Sequence, residues 1–300
     1  MSEARAGGGT GGGTVRASDA RFVGSIPEYY HRYLGPLLFV RYAEDLAARL
    51  RVPADGSVLE IAAGTGILTE ALIARLPTTV SLTVTDLNEP MLAMGSQRLR
   101  ERAEARGKVR WQQADATALD ALGSGEFDAV VCQFGAMFFP DRAAAARETH
   151  RVLRAGGEWL FSVWGSLADN PFGQVIEETL TRLFPTDTPR FYSVPFGFSD
   201  PDALRAMVRA GGFPEPRIET LRFELQSPSA HEAALGLVRG NPLIAAIEER
   251  KTVPADAVIA ELTDALGSRF GDNPLKIQSL VLVVSVRKES DGTSALPGTR

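Results

Sequence analysis

Residues 58–72 read VLEIAAGTGILTEAL, and the reading of this stretch decides the fold. Its first half is apolar and suits a strand buried on both faces. Glu60 stands near the strand's end, followed by a turn of small residues, Ala62-Ala63-Gly64-Thr65-Gly66. Helical spacing begins at once, with Ile67, Leu68, Ala71, Leu72 and Leu76 on one face. A strand, a tight turn and a helix N-terminus in succession bring backbone N–H groups to where they can face a ligand.

Outward from this unit, strand and helix patterns alternate with little spacing. Strands are expected at 58–61, 81–86, 109–115, 127–134 and 159–163. Helices are expected at 67–76, 89–105 and 141–153, with a short helical turn at 116–122 and a helix stop at Gly156-Gly157. Such alternation implies a doubly wound parallel sheet, because parallel neighbours need crossovers. Beyond residue 165 the rhythm changes. Aromatic and proline residues crowd 165–198, a helix fits 201–210, and a strand fits 217–225. Helices fit 232–238, 243–251 and 255–270, and a Val-rich strand fits 277–286. The last two strands are expected to pair with each other.

One domain is therefore expected over 21–288. Its core is 52–165, 199–226 and 276–288, with lid insertions at 166–198 and 227–275. Residues 21–51 carry Tyr29, Tyr30, His31 and Tyr33 and a helical pattern from Phe39 to Leu50, which suits a helical flap. The Gly-rich 1–20 and the polar 289–300 are expected to be disordered.

Charged residues make up 23% of the 300-residue chain and the net charge is −5. That balance argues against nucleic acid as a partner, which would require a basic surface. A single cysteine, Cys132, allows no intrachain disulfide and favours a reducing compartment. The most apolar run, IQSLVLVVSV at 277–286, is too short to span a bilayer as a helix, and the N-terminus has no signal-peptide pattern. The expectation is a cytoplasmic protein with no membrane partner, monomeric or homodimeric, with no metal site.

Three features fall at strand C-termini, where open α/β sheets bind ligands. The first is the turn at 62–66. The second is Asp86, twenty residues after Gly66, a spacing that suits a carboxylate accepting from ribose hydroxyls. The third is Asp115-Ala116, where a carboxylate and a backbone N–H can read adenine. Each has a plainer reading alone: Asp86 or Asn88 as a helix N-cap, Asp115 as a cap on the turn after it. Gln133 and Phe134 end the fourth strand. A dinucleotide fingerprint would need glycine at 69, where Thr69 stands, or at 62, where Ala62 stands. A ligand with adenine and ribose but no phosphate fits better, namely S-adenosylmethionine.

VLEIAAGTG (58–66), VTDLNEPML (84–92), QQADATAL (112–119), FDAVVCQFGAMFFPD (127–141) and RVLRAGGEWLFSVW (151–164) together resemble the motifs of class I S-adenosylmethionine-dependent methyltransferases. The resemblance covers about 55–165 and is closest to the type 11 and ubiquinone/menaquinone-biosynthesis branches. It implies an α/β, Rossmann-like seven-stranded sheet with its last strand antiparallel and helices on both faces. It implies S-adenosylmethionine as cofactor and S-adenosylhomocysteine as product. It puts Ala62 and Gly64 at the methionine moiety, Glu60 near its ammonium, and Asp86 on the ribose. Leu87 and Met91 fall beside the adenosine, Asp115 and Ala116 on adenine, and Gln133 near the methionine end. Tyr33 or Arg41 would contact the carboxylate or cover the cofactor. Ala62 departs from the family's usual glycine and is expected to keep a negative φ.

Methyl transfer from a sulfonium is an in-line displacement, so alignment and exclusion of water are the enzyme's main tasks. His31 is the candidate general base; His150 reads as a surface residue and His231 falls in the second insertion. Tyr30, Met137, Phe138, Trp164, Phe172, Tyr192, Phe196, Arg239 and Asn241 are the candidate acceptor-pocket residues. An aromatic-rich lid suggests a small apolar or aromatic acceptor, methylated on O, N, S or C. After the fourth strand stands Gln133-Phe134-Gly135-Ala136, not the Asn/Asp-Pro-Pro-Tyr common among nucleic-acid amino-methylating enzymes. Other classes compatible with the pattern are S-adenosylmethionine-dependent non-methyl chemistry, a non-catalytic cofactor-binding partner and, more remotely, an NAD-dependent oxidoreductase.

Overall fold

The computed structural model describes residues 17–290. Strand β1 (Ser57–Glu60) lies between β2 (Ser81–Asp86) and β4 (Phe127–Gln133), parallel to both. The seven strands run in the order β3-β2-β1-β4-β5-β7-β6, with β3 (Val109–Gln113), β5 (Leu153–Trp164), β6 (Arg217–Ser227) and β7 (Leu275–Arg287) completing the sheet. The apolar runs at its centre explain the order. Val58, Leu59, Val130 and Trp159 are fully buried, as strands covered by helices on both faces must be. β7 is antiparallel to both β5 and β6, and the expected pairing of the last two strands is present. The chain order reverses around β1, so the crevice beyond its C-terminal end is where a ligand is expected in such a sheet.

Several element boundaries differ from the sequence expectations. The helix expected at 89–105 is two helices, α4 (Glu89–Arg98) and α5 (Arg100–Arg106), broken at Leu99. Each half is anchored separately: Arg98 donates to Gly66 O at 2.9 Å, and Arg106 donates to Leu76 O at 2.8 Å and Val80 O at 2.9 Å. No helix forms over 116–122. Helix α6 (Arg142–Val152) ends before Gly156-Gly157, which lie instead within β5, in the stretch where its register to β4 slips. Residues 17–20, expected as part of a tail, form a short 3-10 turn, while 1–16 and 291–300 lie outside the described residues.

The N-terminal flap is helical but of mixed kind. Helix α1 (Ile26–Tyr29) runs into a π-helical stretch, Tyr30–Phe39, and then into α2 (Val40–Arg49). Val40 N–H bonds five residues back to Gly35 O, as in a π turn, and Pro36 within the stretch has no N–H to donate. The wider winding lines up Tyr30, Leu34, Leu38 and Phe39 toward the sheet's C-terminal edge.

Helix α3 (Ile67–Arg75) packs against α2 and α5, and α8 (Pro201–Ala210) against α6. The segment 166–198 holds α7 (Pro171–Leu183) and two 3-10 turns, Phe191–Ser193 and Pro195–Gly197. The segment 227–275 holds α9 (Ala230–Arg239), α10 (Leu243–Arg250) and α11 (Ala255–Phe270). The two are tied together, by Tyr192 Oη donating to Leu237 O at 2.8 Å and by Arg250 with Asp187 at 2.9 Å. Helix α9 lies on the π-helical stretch; a Cβ added at Gly236 would come within 3.0 Å of Leu34 N. Flap and insertions thus form one layer over the C-terminal ends of the strands.

Candidate active site

Under that layer lies a cavity of about 1100 Å³, counting its open mouth. Its floor is the row of strand ends: Ile61, Ala62 and Gly64 after β1, Asp86 to Asn88 after β2, Ala114 to Ala116 after β3, Gln133 to Gly135 after β4, and Trp164 ending β5. Its roof is Phe22, Tyr30, Leu34, Leu38 and Phe39 from the flap and Phe191, Tyr192, Pro195 and Asn241 from the insertions.

The turn after β1 is built on left-handed residues: Ala62 at φ +55°, Gly64 at +58° and Gly66 at +79°. The negative φ expected at Ala62 is therefore corrected. Its methyl group is accommodated opposite Gly135, where an added Cβ would collide with Ala62 Cβ. Arg98 takes up the Thr65 and Gly66 carbonyls from behind. Gly64 N–H donates to Asp86 Oδ2 at 2.8 Å, which ties the turn to the next strand.

Asp86 is buried, and its other oxygen accepts from Asn88 N–H at 2.7 Å. Burial pushes its carboxyl above the usual range, against the pull of those two backbone bonds. Oδ2 holds only the bond from Gly64 N–H and keeps a lone pair able to accept from a hydroxyl, while Oδ1 also takes a longer bond from Asn88 Nδ2 at 3.5 Å. Asp115 Oδ1 accepts from Thr117 N–H and Oγ1, both at 2.8 Å, which is the turn-capping role; Oδ2 has no protein partner among the described residues. Two carboxylates on successive strands, with acceptor capacity left over, suit a nucleoside's hydroxyls and exocyclic amine. Leu87, Met91 and Ala116 supply apolar walls beside them. No group of side chains among the described residues is arranged to hold a metal ion.

The far end is aromatic. Phe134, itself at φ +54°, stacks on Trp164 with ring centroids 4.3 Å apart. Phe39 stacks on Tyr30 at 5.0 Å, and Phe138 on Phe191 at 6.1 Å. Met137, Phe138, Tyr192 and Asn241 also line the cavity. Gln133 Nε2 donates to Phe39 O at 2.8 Å, so this side chain ties strand to flap. Tyr30 hydroxyl is pushed well above the usual range by burial and by Asp86.

Other candidate residues fall elsewhere. Glu60 is buried beneath the turn and does not line the cavity; Thr69 Oγ1 donates to its Oε2 at 2.7 Å, and Oε1 has no partner. Burial raises its carboxyl from 4.5 to about 8. His31 faces a second depression between the flap and α3, with Thr65 Oγ1 3.5 Å from Nδ1, and burial lowers its pKa. Tyr33 stacks on Tyr29 at 5.9 Å, outside the cavity. Arg41 lies over the Phe223 ring at 4.8 Å, and Arg239 pairs with Asp256 at 2.6 Å. Phe172 and Phe196 are buried behind Trp164, at centroid distances of 5.8 and 6.2 Å, as its support and not as lining. Among the lining residues missed were Phe22, Leu34, Leu38, Phe39, Asn88, Phe191 and Pro195. Their clue was weak: an Asn two residues after Asp86, and apolar residues that a core would use equally well.

Fold and site together define the class: a Rossmann-like protein whose strand ends carry a nucleoside-sized polar floor beside an aromatic chamber. Comparisons with known proteins agree. A methyltransferase-domain family model matches residues 58–157. Demethylmenaquinone methyltransferase of Thermus thermophilus is 36% identical over 195 residues, 61% of this chain and 84% of that protein. The ubiquinone/menaquinone biosynthesis C-methyltransferase UbiE of Escherichia coli is 29% identical over 167 residues, 52% of this chain and 66% of that protein. The crystal structure of YcgJ from Bacillus subtilis shares the fold, with a TM-score of 0.55 at 20% identity, over 83% of this chain and 99% of that one. The chain belongs to the class I S-adenosylmethionine-dependent methyltransferases, in their UbiE-like group. S-adenosylmethionine is its cofactor, and no helix among the described residues is long and apolar enough to cross a membrane.

Proposed function

We propose that the chain methylates a small aromatic acceptor seated against Trp164 and Phe134, with the cofactor along the strand ends. Asp86 holds the ribose hydroxyls, and Asp115 with the Ala116 N–H reads adenine. The turn at 62–66 faces the methionine end. The chemistry the bound cofactor supplies is an electrophilic methyl group on a sulfonium. Flap and insertions exclude water from it and align the acceptor.

The observation that carries the acceptor class is the composition of the chamber. Its walls are Phe39, Phe134, Phe138, Trp164, Phe191 and Tyr192. Its titratable lining groups are Asp86, Asp115, Tyr30 and Tyr192, and the two tyrosines are held neutral by burial. Neither carboxylate is free to serve as a base if both hold the nucleoside. The acceptor must then bring its own nucleophile, as an electron-rich ring carbon or a phenolate does. The relatives' names, a demethylmenaquinone methyltransferase and a quinone-biosynthesis C-methyltransferase, favour a ring carbon.

The test is mass-spectrometric: the full chain with S-adenosylmethionine and a panel of naphthalenediols, aliphatic amines and aliphatic acids. Methylated naphthalenediol with matching S-adenosylhomocysteine is expected. Turnover confined to the amines or acids would overturn the reading.

A further inference from the structure

Tyr192 and Asn241 come from different insertions, are both more than nine-tenths buried, and both line the cavity. Their hydrogen bonds are unambiguous. Leu243 N–H donates to Asn241 Oδ1 at 3.0 Å, which fixes the amide orientation, since only oxygen can accept. Asn241 Nδ2 then donates both hydrogens, to Leu237 O at 2.9 Å and to Tyr192 Oη at 3.0 Å. Tyr192 Oη donates its single hydrogen to Leu237 O at 2.8 Å. Leu237 lies in the last turn of α9, where carbonyls lose their helical partners, and the two side chains satisfy it.

Every hydrogen of the pair is therefore spent inside the protein. One lone pair on Tyr192 Oη and one on Asn241 Oδ1 remain. A pair that can only accept recognises a donor. A ring hydroxyl meets a partner there, whereas a carbonyl or an ether oxygen meets only lone pairs and loses its water without compensation. We infer that Tyr192 and Asn241 are the specificity-determining pair of the acceptor site. They select aromatic rings bearing a free hydroxyl and reject the corresponding ketone or ether. This rests on the aromatic acceptor proposed above. It adds a chemical reason for the selection: the hydroxylated ring is also the electron-rich one that can attack a methyl cation equivalent.

The experiment is calorimetry on the full chain saturated with S-adenosylhomocysteine, with 1-naphthol, 1-methoxynaphthalene and 1,4-naphthoquinone as probes. Wild type is expected to bind 1-naphthol about tenfold or more tighter than either of the others. Tyr192→Phe removes one lone pair and frees one Asn241 N–H. It should narrow the naphthol preference to within about threefold and tighten 1,4-naphthoquinone by a similar factor, because a donor now faces its carbonyl. A pair that only caps α9 would change the melting temperature of the variant and leave these ratios where they were. Equal wild-type affinity for the three probes overturns the inference and leaves the aromatic reading standing. Binding of none of them overturns both.

Discussion

Ala62 and Phe134 both hold a positive φ, and both sit at strand ends facing the cavity. Backbone strain of this kind costs on the order of 1–2 kcal/mol for a residue with a Cβ, and persists where its surroundings enforce it. At Ala62 the flanking backbone is pinned by Ile61 N–H to Val131 O and Ala63 N–H to Thr85 O, both at 3.0 Å, and Gly135 leaves room for the methyl. Gly135→Ala should lower the melting temperature, since the new methyl collides with Ala62 Cβ and comes within 2.8 Å of Cys132 Sγ. Adding Ala62→Gly should restore part of the loss, the sulfur contact remaining; a double-mutant cycle by thermal denaturation reads the coupling, and simple additivity would contradict this packing. Ala62→Gly alone should stabilise by about 1 kcal/mol by relieving the left-handed alanine.

Glu60 gives a pH signature. Its folded pKa of about 8 stands above the ordinary 4.5 because the carboxyl is buried. Below pH 4.5 folded and unfolded chains are both protonated and the contribution is fully present. Between 4.5 and about 8 only the unfolded chain has released the proton, so stability falls as pH rises, by up to about 1.4 kcal/mol per pH unit. Glu60→Gln should flatten that decline in denaturant titrations across the window; an unchanged slope would mean that Glu60 is ionised in the folded state.

At the scale of elements, the flap and insertions decide the acceptor end. The sequence made the flap recognisable as helical and aromatic, because Phe39, Tyr42, Ala43, Leu46 and Leu50 keep helical spacing. It did not reveal the π-helical winding of Tyr30–Phe39, because i→i+5 bonding leaves no mark in a short apolar pattern. That winding brings Leu34 and Leu38 to the cavity and leaves His31 and Tyr33 outside it. Gln133 fastens this element to β4 through Phe39 O. Gln133→Leu should therefore make the Tyr30–Phe39 amides exchange faster in hydrogen-exchange mass spectrometry, with the sheet unaffected; unchanged protection would show that packing alone holds the flap. Phe172, fully buried behind Trp164, belongs to the same layer. Phe172→Ala should cost about 3–5 kcal/mol of stability as a cavity opens under the aromatic wall.

Across the whole molecule, legibility followed the constraint on each residue. The sheet and its crossovers were readable because β1, β4 and β5 from Trp159 onward are buried on both faces and are runs of mainly apolar residues. Asp86, Asp115 and the turn were readable because polar groups at strand ends stand out against such runs. The acceptor chamber was not, since Phe172 behind the wall and Phe191 within it are the same residue type in the same burial class. Only packing tells lining from support. The break at Leu99 was equally hidden, because it depends on where Arg98 and Arg106 find carbonyls in other elements.

The central claim is that the strand-end carboxylate Asp86 holds the nucleoside of the cofactor, and titration of S-adenosylhomocysteine into the wild type and Asp86→Ala by calorimetry tests it most directly. The expected result is a loss of at least about tenfold in affinity, or ~1.4 kcal/mol, for the variant. Wild-type affinity should also weaken as pH falls toward the raised pKa of Asp86, because the protonated carboxyl gives up an acceptor, and the variant should lack that dependence. Equal affinity of the two proteins would contradict the claim and would mean that the ribose is held elsewhere.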